Sequence, residues 1–217
     1  MNPVDLHGKQ SCVKQVVQTL FAYWPMSGRA CWHGRRTSGK VALTFDDGPD
    51  AVFTPQVLEI LKREQVLATF FVSGICAERN PDLLERIIED GHEIGLHGYD
   101  HTPSDIAGQM MRCAAILEKV GGTPRLCRLP GGYKYPLAAF VAIVIRGYRI
   151  VFWSFDAHDS MRHDGKWKGP APDYGVIQGW DIVLLHDDNP VCVSELPGLI
   201  KSLKARGLDP VSVSEML

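Results

Sequence analysis

The sequence alternates apolar runs of strand length with segments that begin like helices, and this alternation constrains the fold more than any other feature. About seven runs have the length and β-branched or aromatic content of strands, namely residues 41–45, 67–72, 93–96, 126–129, 148–154, 181–185 and 209–213. Thr54-Pro55, Asn80-Pro81 and Tyr135-Pro136 place proline where a helix begins. We expect helices over about 54–64, 80–91, 104–120, 135–146 and 194–206. Alternating β and α units predict a parallel sheet covered by helices, either an α/β barrel or an open doubly wound sheet.

Composition excludes several classes of protein. A chain of 217 residues is long enough for one domain with a substantial core, and its net charge of −2 gives no sign of a nucleic-acid partner. No apolar run approaches the length of a membrane span. The six cysteines form no C-x-x-C pair, which favours a reducing compartment, and we expect a cytoplasmic location.

We expect residues 1–39 to form an N-terminal cap with a helix over 10–24, and residues 40–217 to form the main domain.

Ionisable residues follow most of the predicted strands directly. Ligands of α/β folds gather at the carboxyl ends of the strands, and a random distribution would place charges at both ends. Here the strands are apolar, whereas five of the strand ends carry charge: Asp46-Asp47, His97 with His101, Arg128, Asp156 with Asp159, and His186-Asp187-Asp188. The sequence therefore predicts an active site at this rim.

The paired carboxylates and the paired imidazoles suggest a metal site. Asp46-Asp47-Gly48-Pro49 could be a solvated turn, and two histidines four residues apart could be loop residues at the surface. Two adjacent buried carboxylates, however, need a cation or a shared proton. One Asp with His97 and His101 makes three protein ligands, the pattern of a catalytic zinc with an open position. Cobalt, nickel or iron would also suit these ligands.

The remaining rim residues fit hydrolytic chemistry. One aspartate would bind the metal while the other accepts a proton from water. Arg128 could orient that base, and the turn after it could direct a backbone N–H at an oxyanion. His186 is a candidate general acid, since its ordinary pKa is about 6.5, although it could merely cap a strand. Tyr133, Trp167 and Tyr174 are candidates for stacking on a sugar ring, or for local packing alone.

The motifs together resemble one family. Residues 44–49 (Thr-Phe-Asp-Asp-Gly-Pro), the pair His97-x-x-x-His101, residues 128–132 (Arg-Leu-Pro-Gly-Gly) and residues 182–187 (Ile-Val-Leu-Leu-His-Asp) look like the NodB-homology polysaccharide deacetylases, carbohydrate esterase family four. The similarity covers roughly residues 40–217 and implies a deformed (β/α) barrel. It also implies metal-dependent hydrolysis of N-acetyl groups on an amino sugar, oligosaccharide or polysaccharide.

The resemblance also implies a role for each rim residue. Asp46 would be the catalytic base, oriented by Arg128. His186 would be the general acid, supported by Asp159. The Gly131 N–H would help to hold the oxyanion. The metal, expected to be Zn²⁺, would be bound by Asp47, His97 and His101.

Three positions depart from the family pattern. Gly98, Gly131 and Ser160 stand where larger side chains are usual. We therefore expect a roomier or reshaped pocket, on the basis of Gly131 and Ser160, and keep two alternatives to a polymer deacetylase. One is a deacylase or deformylase of a lipid-linked or nucleotide-linked amino sugar or another small amide, suggested by the cations and the aromatic of residues 161–168. The other is a carbohydrate-binding protein without activity.

Overall fold

The structure is a computed structural model that describes residues 28–36, 39–102, 104–132 and 135–217. The helix expected over residues 10–24 and the candidate Tyr133 lie outside these ranges. Within them, nine strands form one sheet: β1 (Ala30–Cys31), β2 (Lys40–Asp46), β3 (Thr69–Val72), β4 (Glu93–Leu96), β5 (Leu126–Cys127), β6 (Arg149–Val151), β7 (Phe155–Asp156), β8 (Ile182–His186) and β9 (Asp209–Val211).

Eight helices accompany the strands in the described part of the chain. They are α1 (Thr54–Glu64), α2 (Gly74–Arg79), α3 (Pro81–Glu89), α4 (Ile106–Lys119), α5 (Leu137–Ile145), α6 (Asp159–His163), α7 (Pro190–Ala205) and α8 (Val213–Met216), with one 3₁₀ turn at Tyr174–Val176. Among these helices, none is long and apolar enough to cross a bilayer.

The sheet is a deformed barrel. Its strand order is β1-β6-β5-β4-β3-β2-β8-β7, β9 also pairs with β2, and every strand pair is parallel. In the described residues no ladder joins β1 to β7. A single antiparallel bridge between His33 and Asp181 lies near this seam instead. The expected (β/α) architecture is confirmed, with two short strands, β1 and β7, that the sequence pattern did not reveal.

Apolar residues on both faces of the strands hold the barrel together. One cluster, which includes Ala42, Phe71, Val151 and Ile182, packs on one side of the sheet. A larger cluster lies between the other side and the helices, with Phe45, Phe70 and Leu196 fully or almost fully buried. Strands that are buried on both faces read as continuous apolar runs, as β2 and β8 do. The polar residues that end these strands are therefore restricted to the rim.

Two helix starts differ from the sequence prediction. The position of Thr54 directly before Pro55 is typical of a helix cap, but α1 already includes Thr54, whose hydroxyl donates to the carboxylate of Asp187 instead. Helix α7 begins at Pro190 rather than 194, because the Asn189 side chain caps it by accepting from the Cys192 N–H at 3.0 Å. Asn189-Pro190 is the same start signal that marks α3 at Asn80-Pro81.

Candidate active site

The end of β2 separates its two aspartates. Asp46 is the last residue of the strand and pairs in register with His186 of β8. Asp47 has a φ of 77°, and a cis peptide bond joins Gly48 to Pro49 directly afterwards. Side chains alternate between the faces of a strand only while the backbone stays extended. The sharp turn at Asp47 therefore lets both carboxylates lie at the same rim.

Asp47, His97 and His101 form a group that could hold a metal ion. One ligand atom from each lies within 4.8 Å of the others. Asp47 Oδ1 is 3.3 Å from Nε2 of His97 and 3.2 Å from Nε2 of His101. The His97 side chain is 4% exposed and that of His101 is 35% exposed, so the group opens to solvent on one side.

The hydrogen bonding of His97 shows that this group suits a positive charge between its ligand atoms. Its Nδ1 lies 2.8 Å from the carbonyl oxygen of Arg128, which only accepts hydrogen bonds, so Nδ1 carries a proton. In a neutral ring, Nε2 then presents a lone pair toward Asp47 Oδ1, a buried oxygen that receives no hydrogen bond. A lone pair facing a carboxylate oxygen is repulsive unless a positive charge lies between them. A carboxylate and imidazole nitrogens are ligands that suit a divalent cation, so the residues fit a metal.

The pKa shifts of Asp47 and His97 agree with a positive charge at this group. Burial disfavours the charged form of Asp47, but His97, followed by the other nearby imidazoles, outweighs it and lowers the pKa of that carboxyl. Burial likewise disfavours the charged ring of His97, yet Asp46 and Asp47 raise its pKa. The surroundings thus favour an anionic carboxylate next to positive charge.

Arg128 holds Asp46 from beneath the rim. Its side chain is fully buried, and its NH1 donates to Asp46 Oδ1 and to Thr44 Oγ1, both at 2.8 Å. Further donors reach the carbonyls of Val151 at 3.2 Å and Phe152 at 3.1 Å. This leaves the other oxygen of Asp46, Oδ2, directed toward the metal group, 3.6 Å from His97 Nε2.

His186 and Asp159 form the second pair at the rim. The Nδ1 of His186 lies 2.9 Å from Asp159 Oδ1, and Asp159 Oδ2 accepts from the His186 N–H at 2.8 Å and from Asn189 Nδ2 at 3.1 Å. Burial disfavours the charged imidazole, but the hydrogen bond and charge of Asp159 outweigh it and raise the pKa of His186 to about 10. The ring is therefore held as a proton donor whose Nε2 is not engaged by Asp159.

Asp187, for which the sequence pattern indicates no role, connects two parts of the site. It is almost fully buried, accepts from the Gly48 N–H at 3.2 Å and accepts from the Thr54 hydroxyl. Burial raises its pKa to about 7. Asp187 thus fastens the turn that follows Asp47 to the end of β8. An Asp directly after a strand carries no signal of such a contact in the sequence.

The glycine-rich turn after β5 is closed by a hydrogen bond from the Gly132 N–H to the Leu129 carbonyl at 2.9 Å. Gly131 is exposed, with a φ of 67°, and its N–H does not form the turn bond. Gly98 leaves no open space: a Cβ there would lie 3.4 Å from Gln109, Ile106 and Pro130. Its φ of 83° is the conformation for which glycine is preferred. The expected wider pocket at Gly131 and Ser160 stays a prediction.

Comparisons with known proteins place these motifs in a family. The family model described as polysaccharide deacetylase matches residues 33–143. The chain is 34% identical over 206 residues to a peptidoglycan-N-acetylglucosamine deacetylase of Bacillus cereus, covering 88% of this chain and 94% of that protein. It is 33% identical over 204 residues to a chitin deacetylase of Colletotrichum lindemuthianum, covering 82% and 79%.

A solved structure has the same fold. The crystal structure of a peptidoglycan N-acetylglucosamine deacetylase in complex with 4-naphthalen-1-yl-N-oxidanyl-benzamide superposes with a TM-score of 0.77 and 30% identity, covering 87% of this chain and 92% of that chain. The family match, the identities and the shared barrel show that this chain belongs to the polysaccharide deacetylase family of carbohydrate N-deacetylases.

Proposed function

We propose that this chain hydrolyses the N-acetyl groups of an N-acetylglucosamine polymer, with one Zn²⁺ ion bound by Asp47, His97 and His101. The observation that carries the proposal is the convergence of three side-chain groups at one rim. The metal group, the Asp46–Arg128 pair and the His186–Asp159 pair come from the ends of β2, β4, β5 and β8 and from α6, and they lie together. The relatives support the substrate class, since they are named as deacetylases of peptidoglycan and of chitin.

Each of the three groups has a distinct role in this reaction. A bound divalent cation would supply Lewis acidity, polarising the acetamide carbonyl and lowering the pKa of a water molecule. Asp46 accepts the proton of the attacking water on Oδ2, because Oδ1 is occupied by Arg128. The Gly131 N–H donates to the oxyanion that develops on the carbonyl oxygen. His186 gives its Nε2 proton to the departing amine, since Nδ1 is held by Asp159.

The structure does not favour a phosphate-bearing substrate. The basic loop over residues 161–168 suggested such a substrate, but its cations already have partners. Arg162 pairs with Glu195, Lys166 pairs with Asp164, and Lys168 donates to the Gly165 carbonyl. A loop whose cations already have protein partners needs no anionic ligand.

An acetate-release assay over a panel of substrates tests the proposal. We expect release from chitin oligomers or peptidoglycan, loss of release after a chelator, and recovery when Zn²⁺ is returned. Activity confined to acetylated xylan or to nucleotide-linked amino sugars would contradict the substrate assignment. Sugar binding by the metal-loaded protein without acetate release from any substrate would instead indicate the non-catalytic alternative.

A further inference from the structure

The loop that carries both histidine ligands is anchored differently at its two ends. At the first end, the backbone continues the sheet: the His97 N–H donates to the Val72 carbonyl at 2.9 Å. The carbonyls of Gly98 and Tyr99 then accept from the backbone N–H groups of Gly74 at 3.0 Å and Ile75 at 2.9 Å. In the described residues, the backbone–backbone bonds from this loop to the sheet and α2 stop at Tyr99. His97 is therefore held by the barrel itself.

Beyond Tyr99, the Gln109 side chain bonds to the loop backbone. The Gln109 amide, on the first turns of α4, accepts from the Tyr99 N–H at 3.2 Å and from the Asp100 N–H at 3.3 Å. The same amide donates to the Thr102 carbonyl at 2.5 Å and the Ser104 carbonyl at 3.0 Å. His101 lies between these two sets of contacts. Gln109 thus ties both flanks of the second ligand to a helix that packs on the core.

His101 adopts a backbone conformation that needs such support. Its φ of 61° is in the left-handed region, which residues other than glycine rarely occupy unless neighbouring contacts fix them. A further hydrogen bond across this ligand, from the Thr102 N–H to Asp100 Oδ1 at 3.0 Å, lies within the loop. That bond shapes the loop but does not attach it to another element.

Gly98 packs directly against this amide. A Cβ at Gly98 would lie 3.4 Å from Gln109 Oε1, the oxygen that accepts from the loop, which is van der Waals contact. The side-chain amide also suits the task chemically, because it carries both an acceptor oxygen and two N–H donors. A carboxylate of the same length would lack the donors, and an aliphatic side chain would lack both.

We infer that Gln109 is the positioning residue for His101, and that it contributes to metal affinity without touching the metal. This inference rests on the proposed metal site. Partners that orient a metal ligand from behind change affinity by about 10–100-fold when they are removed. The same size of effect is expected here.

The test measures Zn²⁺ affinity by competition with a chromogenic chelator. The variants are Gln109→Met, which keeps the length but removes the hydrogen bonds, and the matched control Glu118→Met, at the far end of the same helix. We expect Gln109→Met to bind Zn²⁺ about 10–100-fold more weakly. Glu118→Met should match the unmodified protein, and His101→Ala should lose more affinity than Gln109→Met. Thermal unfolding of each metal-free protein shows whether it is folded at the assay temperature.

The outcomes distinguish a failure of the role of Gln109 from a failure of the metal site. Unchanged affinity in Gln109→Met, together with a large loss in His101→Ala, overturns the role of Gln109 and leaves the metal site standing. Absence of Zn²⁺ binding by the unmodified protein removes the metal site and the inference with it. If Gln109→Met is unfolded without metal, Gln109→Asn decides, because its amide is one methylene too short to reach both flanks. Normal affinity in Gln109→Asn overturns the inference.

Discussion

At the scale of single residues, Asp46 and Asp47 show how adjacent identical side chains acquire different surroundings. Asp46 still belongs to the strand and meets a fully buried guanidinium. Asp47 has left the strand with a φ of 77° and faces two imidazoles. The motif in the sequence indicates a carboxylate pair, but only the backbone turn explains why the two face different partners.

Replacing Arg128 tests the buried pair. Arg128→Met should lower the free energy of unfolding by about 3–5 kcal/mol, because it leaves Asp46 as a buried charge without its partner. Denaturant unfolding of the metal-free protein measures this. Adding Asp46→Asn to Arg128→Met should recover part of the loss, since the orphaned charge is removed. Equal stability of Arg128→Met and the unmodified protein would show that the pair contributes nothing.

Replacing Asp159 tests the proton donor. The pKa of His186 is raised to about 10, so the imidazolium form is stabilised by folding. That stabilisation is complete below the ordinary histidine pKa of about 6.5 and is lost as the pH rises through about 10. Asp159→Asn should therefore lower the pKa of His186 and move the alkaline limb of the pH–rate profile to lower pH.

The pH–rate profile of acetate release measures the effect of Asp159→Asn directly. Asp164→Asn is a suitable control, because Asp164 is exposed and pairs with Lys166 away from the imidazole. An alkaline limb that stays in place in Asp159→Asn would mean that another group sets it.

At the scale of structural elements, the unit formed by β2, the Gly48-Pro49 turn and α1 depends on close contact with Asp187. A Cβ at Gly48 would lie 2.2 Å from Asp187 Oδ2, which is held by Thr54. Gly48→Ala should lower the free energy of unfolding by about 1–3 kcal/mol, as overpacking of a filled site does.

The matched control for Gly48→Ala is Gly198→Ala, in α7, where a Cβ would meet nothing within 4 Å. That change should be neutral or stabilising by up to about 1 kcal/mol, because alanine favours a helix. Denaturant unfolding compares the two variants. Equal effects at both positions would contradict close packing of the turn against Asp187.

Elements with strong local signals could be predicted from the sequence, and elements defined by pairing alone could not. The buried strands β2 and β8 read as apolar runs, and Asn80-Pro81 marks α3. By contrast, β1 and β7 each contain two residues, whose strand character comes from their neighbours in the sheet. Thr54 looks like a helix cap by its position, but a buried carboxylate distant in sequence competes for its hydroxyl.

At the scale of the whole molecule, the parallel barrel explains why the residues of the site could be predicted from the sequence. The parallel strands end at one rim. Asp46 and His186, the last residues of β2 and β8, therefore lie near His97 and Arg128, which directly follow β4 and β5. The residues that support them from other directions carry no such signal. Gln109 bonds to the ligand loop from a helix, and Asp187 accepts a hydrogen bond from the turn after Asp47. Neither contact could be predicted from the sequence.

Two expectations stay predictions at this scale. The boundary between an N-terminal cap over 1–39 and a main domain over 40–217 is not decided, although Ala30–Cys31 pairs with β6 and so extends the sheet. The cytoplasmic location that the cysteine pattern favours also stays a prediction.

The central claim is that Asp46 and Asp47 divide the work of base and metal ligand. The most direct test measures bound metal and acetate release in the same samples of the unmodified protein, Asp46→Asn and His97→Ala. We predict that Asp46→Asn retains the metal but loses turnover by about 10²–10⁴-fold, as removal of a general base does, whereas His97→Ala loses both. Near-normal turnover in Asp46→Asn, or full metal content with normal turnover in His97→Ala, would contradict the account.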